Sequence, residues 1–179
     1  DIDATGTDRW NDGSGFTPIG SDSSTEGSTD GFTGEFDGNK NSISNLSINR
    51  SSTDRVGLFG VIEPSGTVGN FSLDNVSIEG NNNVGGVVGS NNGEISNVAV
   101  TGTVQGSGFQ IGGLAGDNSK AVINQSYSHA EVKGSNKVGG LIGTNLNGNV
   151  TEAYATGFTA GFDQVGGLIG DDPGSVNST

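Results

Sequence analysis

The chain has 179 residues, a length that fits one domain with a real core and gives no case for two. Its apolar fraction is only 30%, yet 34 glycines replace bulk with close backbone approach, which excludes a disordered chain. Twenty acidic residues against seven basic ones give a formal charge of -13, which repels a nucleic-acid backbone or an anionic membrane and makes DNA and RNA poor partners.

Cysteine is absent, so disulfides, zinc-thiolate sites and thiol nucleophiles are excluded. Methionine is absent too, so Asp1 is not expected to be the translational start: a signal, a propeptide or a larger upstream region is expected to precede it, in keeping with export. No apolar run approaches the ~18 residues of a spanning helix, so direct membrane insertion is not expected.

Residues 1–35 hold the only tryptophan, Trp10, with Phe16, Pro18, Ile19 and Phe32, and show no repeat. They are expected to form an irregular N-terminal cover or large loop. Within them, Gly20 to Gly31 has no apolar residue and reads as an exposed insertion. Asp1, Asp3, Thr5, Gly6 and Asp12 have the spacing of an oxygen-ligand calcium loop, with Arg9 where a ligand or water is preferred. Calcium is therefore a candidate ligand there, and no cofactor is otherwise expected.

From residue 36 onward two signals recur. One is VGLFG at 56–60, VGGVVG at 84–89, IGGLAG at 111–116 and VGGLIG at 138–143 and 165–170, whose closing glycines are 29, 27, 27 and 27 residues apart. The other, midway in each unit, is Ile43-x-Asn45-Leu46-x-Ile48, Val68-x-Asn70-Phe71-x-Leu73, Ile95-x-Asn97-Val98-x-Val100, Ile123-x-Gln125-Ser126-x-Ser128 and Val150-x-Glu152-Ala153-x-Ala155. Frequent glycines and β-branched, Asn-rich stretches exclude helices. What remains is an all-β chain of short strands with glycine corners: a single-stranded parallel β-solenoid of three-strand coils, about 27 residues each and five to six in number. The expected coils are 36–60, 61–89, 90–116, 117–143 and 144–170, with a partial one at 171–179 in which Val176 starts a strand.

Each position then has a task. The alternation breaks at Asn45, Asn70, Asn97 and Gln125, which marks a corner where stacked amides bond to one another, with Glu152 continuing the series. The pairs Gly85 and Gly86, Gly112 and Gly113, Gly139 and Gly140, and Gly166 and Gly167 sit where a Cβ would crowd the bend or the neighbouring coil. Val84, Ile111, Val138 and Val165 are expected in single file inside. The apolar column thins toward Ser126/Ser128 and Ala153/Ala155, so the later coils are expected to be slimmer or to lean on Phe158 and Phe162. Tyr127 and Tyr154 fall on the outward phase as a stacked pair, a candidate surface contact for glycans.

Gly140-Leu141-Ile142-Gly143 and Gly167-Leu168-Ile169-Gly170 resemble the GLUG-motif repeats of bacterial and archaeal surface proteins. Residues 1–3 (DID), Trp10, 17–20 (TPIG) and 32–39 (FTGEFDGN) resemble the segment that often precedes such repeats. Arg55-Val56-Gly57-Leu58 departs from the pattern, with one glycine where a pair is usual. The resemblance implies an extracellular, secreted or cell-surface chain that acts as a stalk or display surface.

The function expected is a structural or adhesive segment with no catalytic role, either a surface stalk or a subunit of a head-to-tail filament. Self-association would use open solenoid ends or neighbouring repeats. The alternatives are a carbohydrate-binding module and a polysaccharide-active β-helix enzyme. Such an enzyme needs clustered acids, or a basic residue beside calcium-binding carboxylates. The basic residues Arg9, Arg50, Arg55, Lys40, Lys120, Lys133 and Lys137 are scattered, and His129 is the only histidine, which argues against a catalytic triad.

Overall fold

A computed structural model describes residues 1–20 and 31–173. The expected insertion at Gly20 to Gly31 falls almost wholly outside them, and the expected strand start at Val176 lies outside them altogether.

The fold is a parallel β-solenoid of about five coils whose strands form three sheets. The long sheet stacks Glu35–Ser44, Thr67–Gly80 and Glu94–Gly106, and is continued by shorter segments such as Val122–Asn124 and Asn149–Thr151. The second holds Phe59–Ile62, Val88–Asn91, Ala115–Ser119, Ile142–Leu146 and Ile169–Asp171. The third holds Val84–Gly85, Phe109–Gly112, Asn136–Gly139 and Asp163–Gly166. Because the repeat length barely varies, each side chain stacks on its counterpart one coil away. The core is therefore a set of columns.

Val84, Ile111, Val138 and Val165 line up in single file as expected, and Val56 extends the file by one coil. A second column runs Phe36, Val68, Ile95, Ile123, Val150, and a third Ile48, Ile78, Val104, Val132, Thr159. In the GLUG-like segments both residues after the glycine pair are buried, Val87 with Val88, Leu114 with Ala115 and Leu141 with Ile142, so they join the core beside the valine or isoleucine that precedes the pair.

Corners are made by residues in the left-handed region, which Asn tolerates better than most side chains. Asn45, Asn70, Asn97, Gln125 and Glu152 all have φ between 47° and 60°. A second such column precedes each GLUG-like segment, at Arg55, Asn83, Gln110, Lys137 and Gln164, with φ from 49° to 64°. Its side chains share no chemistry, so this column leaves no signature in the sequence.

The first coil is phased differently from the reading. Ile43 pairs with Leu73, and Ile48 with Ile78, so Ile43-x-Asn45-Leu46-x-Ile48 stacks on the segment after Val68-x-Asn70-Phe71-x-Leu73. Phe36 is the residue above Val68. A register irregularity between Asp37 and Asn41 accommodates the difference. Leu58 takes the place of the second glycine, yet Val56 still pairs with Val84 and Leu58 N–H still donates to the Gly86 carbonyl. The N-terminal residues add partial rungs: Ile2 pairs with Ile43, Ile19 with Phe59 and Phe32 with Ile62.

Phe158 and Phe162 do not fill the later coils, being 64% and 94% exposed. Val132 pairs with Thr159, so strand alternation turns Phe158 outward. The narrow interior is completed instead by Ser126 and Ser128, both fully buried. Ser126 Oγ donates to the Asn124 carbonyl at 2.8 Å, and Ser128 Oγ accepts from Ala130 N–H at 3.2 Å.

Column stacking makes the cost of a cavity depend on position. Ile111→Ala, at 0% exposure between Val84 and Val138, is expected to lower urea stability by about 2–5 kcal/mol, whereas Phe162→Ala shifts it by under about 0.5 kcal/mol.

Candidate functional site

On the outer face of the long sheet, alternation turns out the residues between the buried pairs. Ser42, Ser72, Ala99, Tyr127 and Tyr154 form one outward column. The two tyrosine rings stack with centroids 5.0 Å apart and planes 5° from parallel, and His129 leans on both at 5.2 and 5.9 Å. The spacing is that of neighbouring coils, so the backbone sets the stack.

Beside this column runs the corner. Asn97 Nδ2 donates to Asn70 Oδ1 at 2.9 Å, Asn70 Nδ2 donates to Asp37 Oδ1 at 3.1 Å, and further along Gln125 Nε2 donates to Glu152 Oε2 at 2.9 Å. Asn45 belongs to a different column: its Oδ1 accepts from Asn75 Nδ2 at 2.9 Å, a consequence of the shifted phase of the first coil. Between corner and tyrosines lies a groove of about 400 Å³ lined by Lys40, Asn70, Ser72, Asn97, Ala99 and Tyr127, among others.

A buried asparagine ladder, not evident from the sequence pattern, runs through the second sheet. Asn91 Nδ2 donates to Asn118 Oδ1 and Asn118 Nδ2 to Asn145 Oδ1, both at 2.8 Å, and Asn145 Nδ2 reaches Asp172 Oδ1 at 3.4 Å. Asn91 and Asn118 are fully buried. The signal was present: each lies two residues after a closing glycine, 27 residues apart. It was masked by the neighbouring Asn92, Ser119 and Leu146, which obscure the column in a chain rich in Asn and Ser.

The glycine pairs sit in tight packing. A Cβ on Gly85 would lie 2.6 Å from the Leu114 carbonyl oxygen of the next coil, and one on Gly86 would lie 2.6 Å from that of Gly113. Gly112, Gly113, Gly139, Gly140 and Gly166 are similarly crowded, whereas a Cβ on Gly167 meets nothing within 4 Å. The closing glycines are constrained as well. A Cβ on Gly143 would meet the Gln110–Ile111 backbone at 2.5 Å, and one on Gly170 the Lys137–Val138 backbone at 2.6 Å.

The other candidate residues are dispersed. Asp3 Oδ1 accepts from Thr5 Oγ1 at 2.6 Å, from Thr5 N–H at 3.1 Å and from Asn45 Nδ2 at 3.1 Å, while Asp1 Oδ1 accepts from Ser42 N–H at 2.9 Å. These bonds, led by the Thr5 hydroxyl, hold the Asp3 carboxyl below its ordinary range. Lys137 Nζ pairs with Asp171 Oδ2 at 2.8 Å, and Asp163 is taken by Asn136 Nδ2 at 3.2 Å. Among the described residues no three His, Asp or Glu side chains converge as metal ligands.

The GLUG motif matches residues 80–105 and 134–160. Each match spans one coil, beginning at Gly80 or Gly134, where a Cβ would strike the Val56/Val84 or Ile111/Val138 column. Over 109 residues, 60% of its length, the chain is 46% identical to Halomucin of Haloquadratum walsbyi, of which it covers 1%. A Bacteroides ovatus crystal structure, of a protein proposed to be an immunoglobulin A1 protease, matches with a TM-score of 0.74 and 27% identity. That match covers 98% of this chain and 54% of the other. The chain thus spans a small part of one relative and about half of the other. It carries GLUG motifs on a β-solenoid.

Two outcomes follow. Asn118→Ala leaves Asn91 and Asn145 with lost partners at buried positions and is expected to cost about 1–3 kcal/mol in denaturant unfolding, against under about 1 kcal/mol for Asn97→Ala in the exposed ladder. In an NMR titration Asp3 is expected to protonate below an ordinary aspartate, and Thr5→Ala to raise its midpoint. Because the folded value is depressed, the small stabilisation it gives is present above the unfolded value and is lost as pH falls through the folded one.

Proposed function

We propose that this GLUG-motif solenoid is a structural segment of a surface protein, serving as a stalk that spaces or displays other parts and able to extend by stacking on further coils. The observation that carries this reading is the continuity of the core columns, such as Phe36 to Val150, through all five coils with side chains in register. A fold built this way gains length by repetition, each added coil burying the face of the one before. The GLUG motifs and the likeness to Halomucin support the same reading. Self-association through solenoid ends or neighbouring repeats belongs to it, because strand edges and inner columns at any coil are templates for another. Adhesion is the form such a segment takes if its outer face binds.

The dispersal of the acidic and basic groups supports a role without catalysis, since active sites gather ionisable groups with shifted proton affinities. Antibody raised to this segment is expected to label intact source cells, and labelling only after permeabilisation would remove the surface reading. Sedimentation from micromolar to near-millimolar protein separates stalk from filament. Growth in mass with concentration is the filament outcome, and a constant monomer mass leaves the stalk. Incubation with immunoglobulin A1 is expected to leave that protein uncut, whereas specific cleavage would show an enzyme.

A further inference from the structure

The groove above Tyr127 is built from parts that sequence order scatters. Tyr154 covers one face of the Tyr127 ring, at 5.0 Å and 5° from parallel. On the other side the column continues with Ala99 and then Ser72, neither of which carries a ring. The second face of Tyr127 therefore forms one end of the groove, held rigidly from behind by Tyr154 and from the side by His129. Three coil steps separate Ser42 from Tyr127 in this column, about 14 Å at the usual spacing of strands.

The remaining walls are polar. Asn70 and Asn97 line one side, and each ladder bond uses only one of the two hydrogens of the amide that donates it. Lys40 lines the groove from the irregular stretch between Asp37 and Asn41, itself in the left-handed region at φ 64°. The ion pairs among the described residues are Arg9 with Asp8, Lys133 with Glu131 and Lys137 with Asp171, so Lys40 is in none of them. Two carboxylates are bonded to lining residues without lining the groove themselves, Asp37 accepting from Asn70 and Asp74 from Ser72 Oγ at 3.1 Å, and these neutral donors leave their charge in place. Lys40 is the one charged residue of the lining, in a chain of formal charge -13.

We infer that this groove binds an acidic oligosaccharide, one pyranose ring stacked by its C–H face on Tyr127 and a carboxylate set against Lys40. The negative face of an aromatic ring attracts the electropositive C–H face of a sugar, amides match its hydroxyls as donors and acceptors, and the ammonium selects for charge. A volume of about 400 Å³ suits a short stretch of a longer chain lying along the groove. The inference goes beyond the stalk reading and does not depend on it.

Calorimetric titration of the full chain tests this with two linear polyuronate oligomers, an oligogalacturonate and an oligomannuronate, and with their carboxyl-reduced, uncharged forms. At least one acidic oligomer is expected to bind, its reduced form more weakly, and the acidic binding to weaken as salt is added. Tyr127→Ala is expected to weaken binding on the order of tenfold. Ala99→Tyr, which extends the ring stack into the groove at an outward position, is expected to abolish it, and Lys40→Gln to remove the advantage of the acidic form. A thermal melt of each variant shows that it is folded. No binding by any oligomer, or unchanged binding by folded Ala99→Tyr, overturns the site. Equal binding of charged and reduced forms, unaltered by Lys40→Gln, overturns the assignment to acidic sugars.

Discussion

Backbone lies directly on backbone in this molecule, one coil about 4.8 Å from the next, and every other feature answers to that distance. A residue in a coil must suit its counterparts before and after it, since side chains in register share the same narrow layer. Closing glycines are the sharpest case. Gly143 sits against the Gln110–Ile111 backbone and Gly170 against that of Lys137–Val138, and a methyl group at either would force the coils apart. The GLUG signature is thus a record of where one coil touches another. It carries no chemistry of its own.

The same constraint decides how polar groups are treated. In the interior, asparagines are admitted as a continuous ladder, Asn91 to Asn118 to Asn145, in which Asn118 accepts from Asn91 and donates to Asn145, while Asn91 Oδ1 accepts from Gly93 N–H and Asn145 Nδ2 donates to Asp172. Serines replace apolar volume in the later coils only where their hydroxyls meet local backbone groups, as at Ser126 and Ser128. Outside, stacking costs nothing and lines up like with like. It produced the Tyr127–Tyr154 pair and, by interrupting the pair at Ala99, the groove beside it.

Much of the fold could be read from residue types at fixed intervals, because a solenoid writes its period into the chain. The file from Val84 to Val165 and the Asn corners at 70 and 97 were recoverable from spacing alone. What was not recoverable depended on register within the first coil. Two asparagines, Asn45 and Asn70, look equivalent in sequence, but an irregularity between Asp37 and Asn41 puts Asn45 over Asn75. Phe158 and Phe162 misled for a related reason: large apolar residues suggest core, while strand phase turned Phe158 outward. For the candidate site, Tyr127 and Tyr154 could be paired by their interval, whereas Lys40 could not be joined to them, since it reaches the groove through a local departure from the repeat.

The claim on which all of this rests is that neighbouring coils are locked in one register, and cross-linking in this cysteine-free chain measures it directly. Gln105 and Lys133 are register partners in the long sheet. Cysteines placed at both positions should oxidise rapidly to a disulfide, because adjacent in-register strands hold their Cα atoms within bridging distance. Cysteines at Thr103 and Lys133, two residues out of register on the same strand pair, should stay reduced under the same conditions. Comparable oxidation of the two pairs would mean that the coils slide, and the register described for the columns, the ladder and the groove would be contradicted.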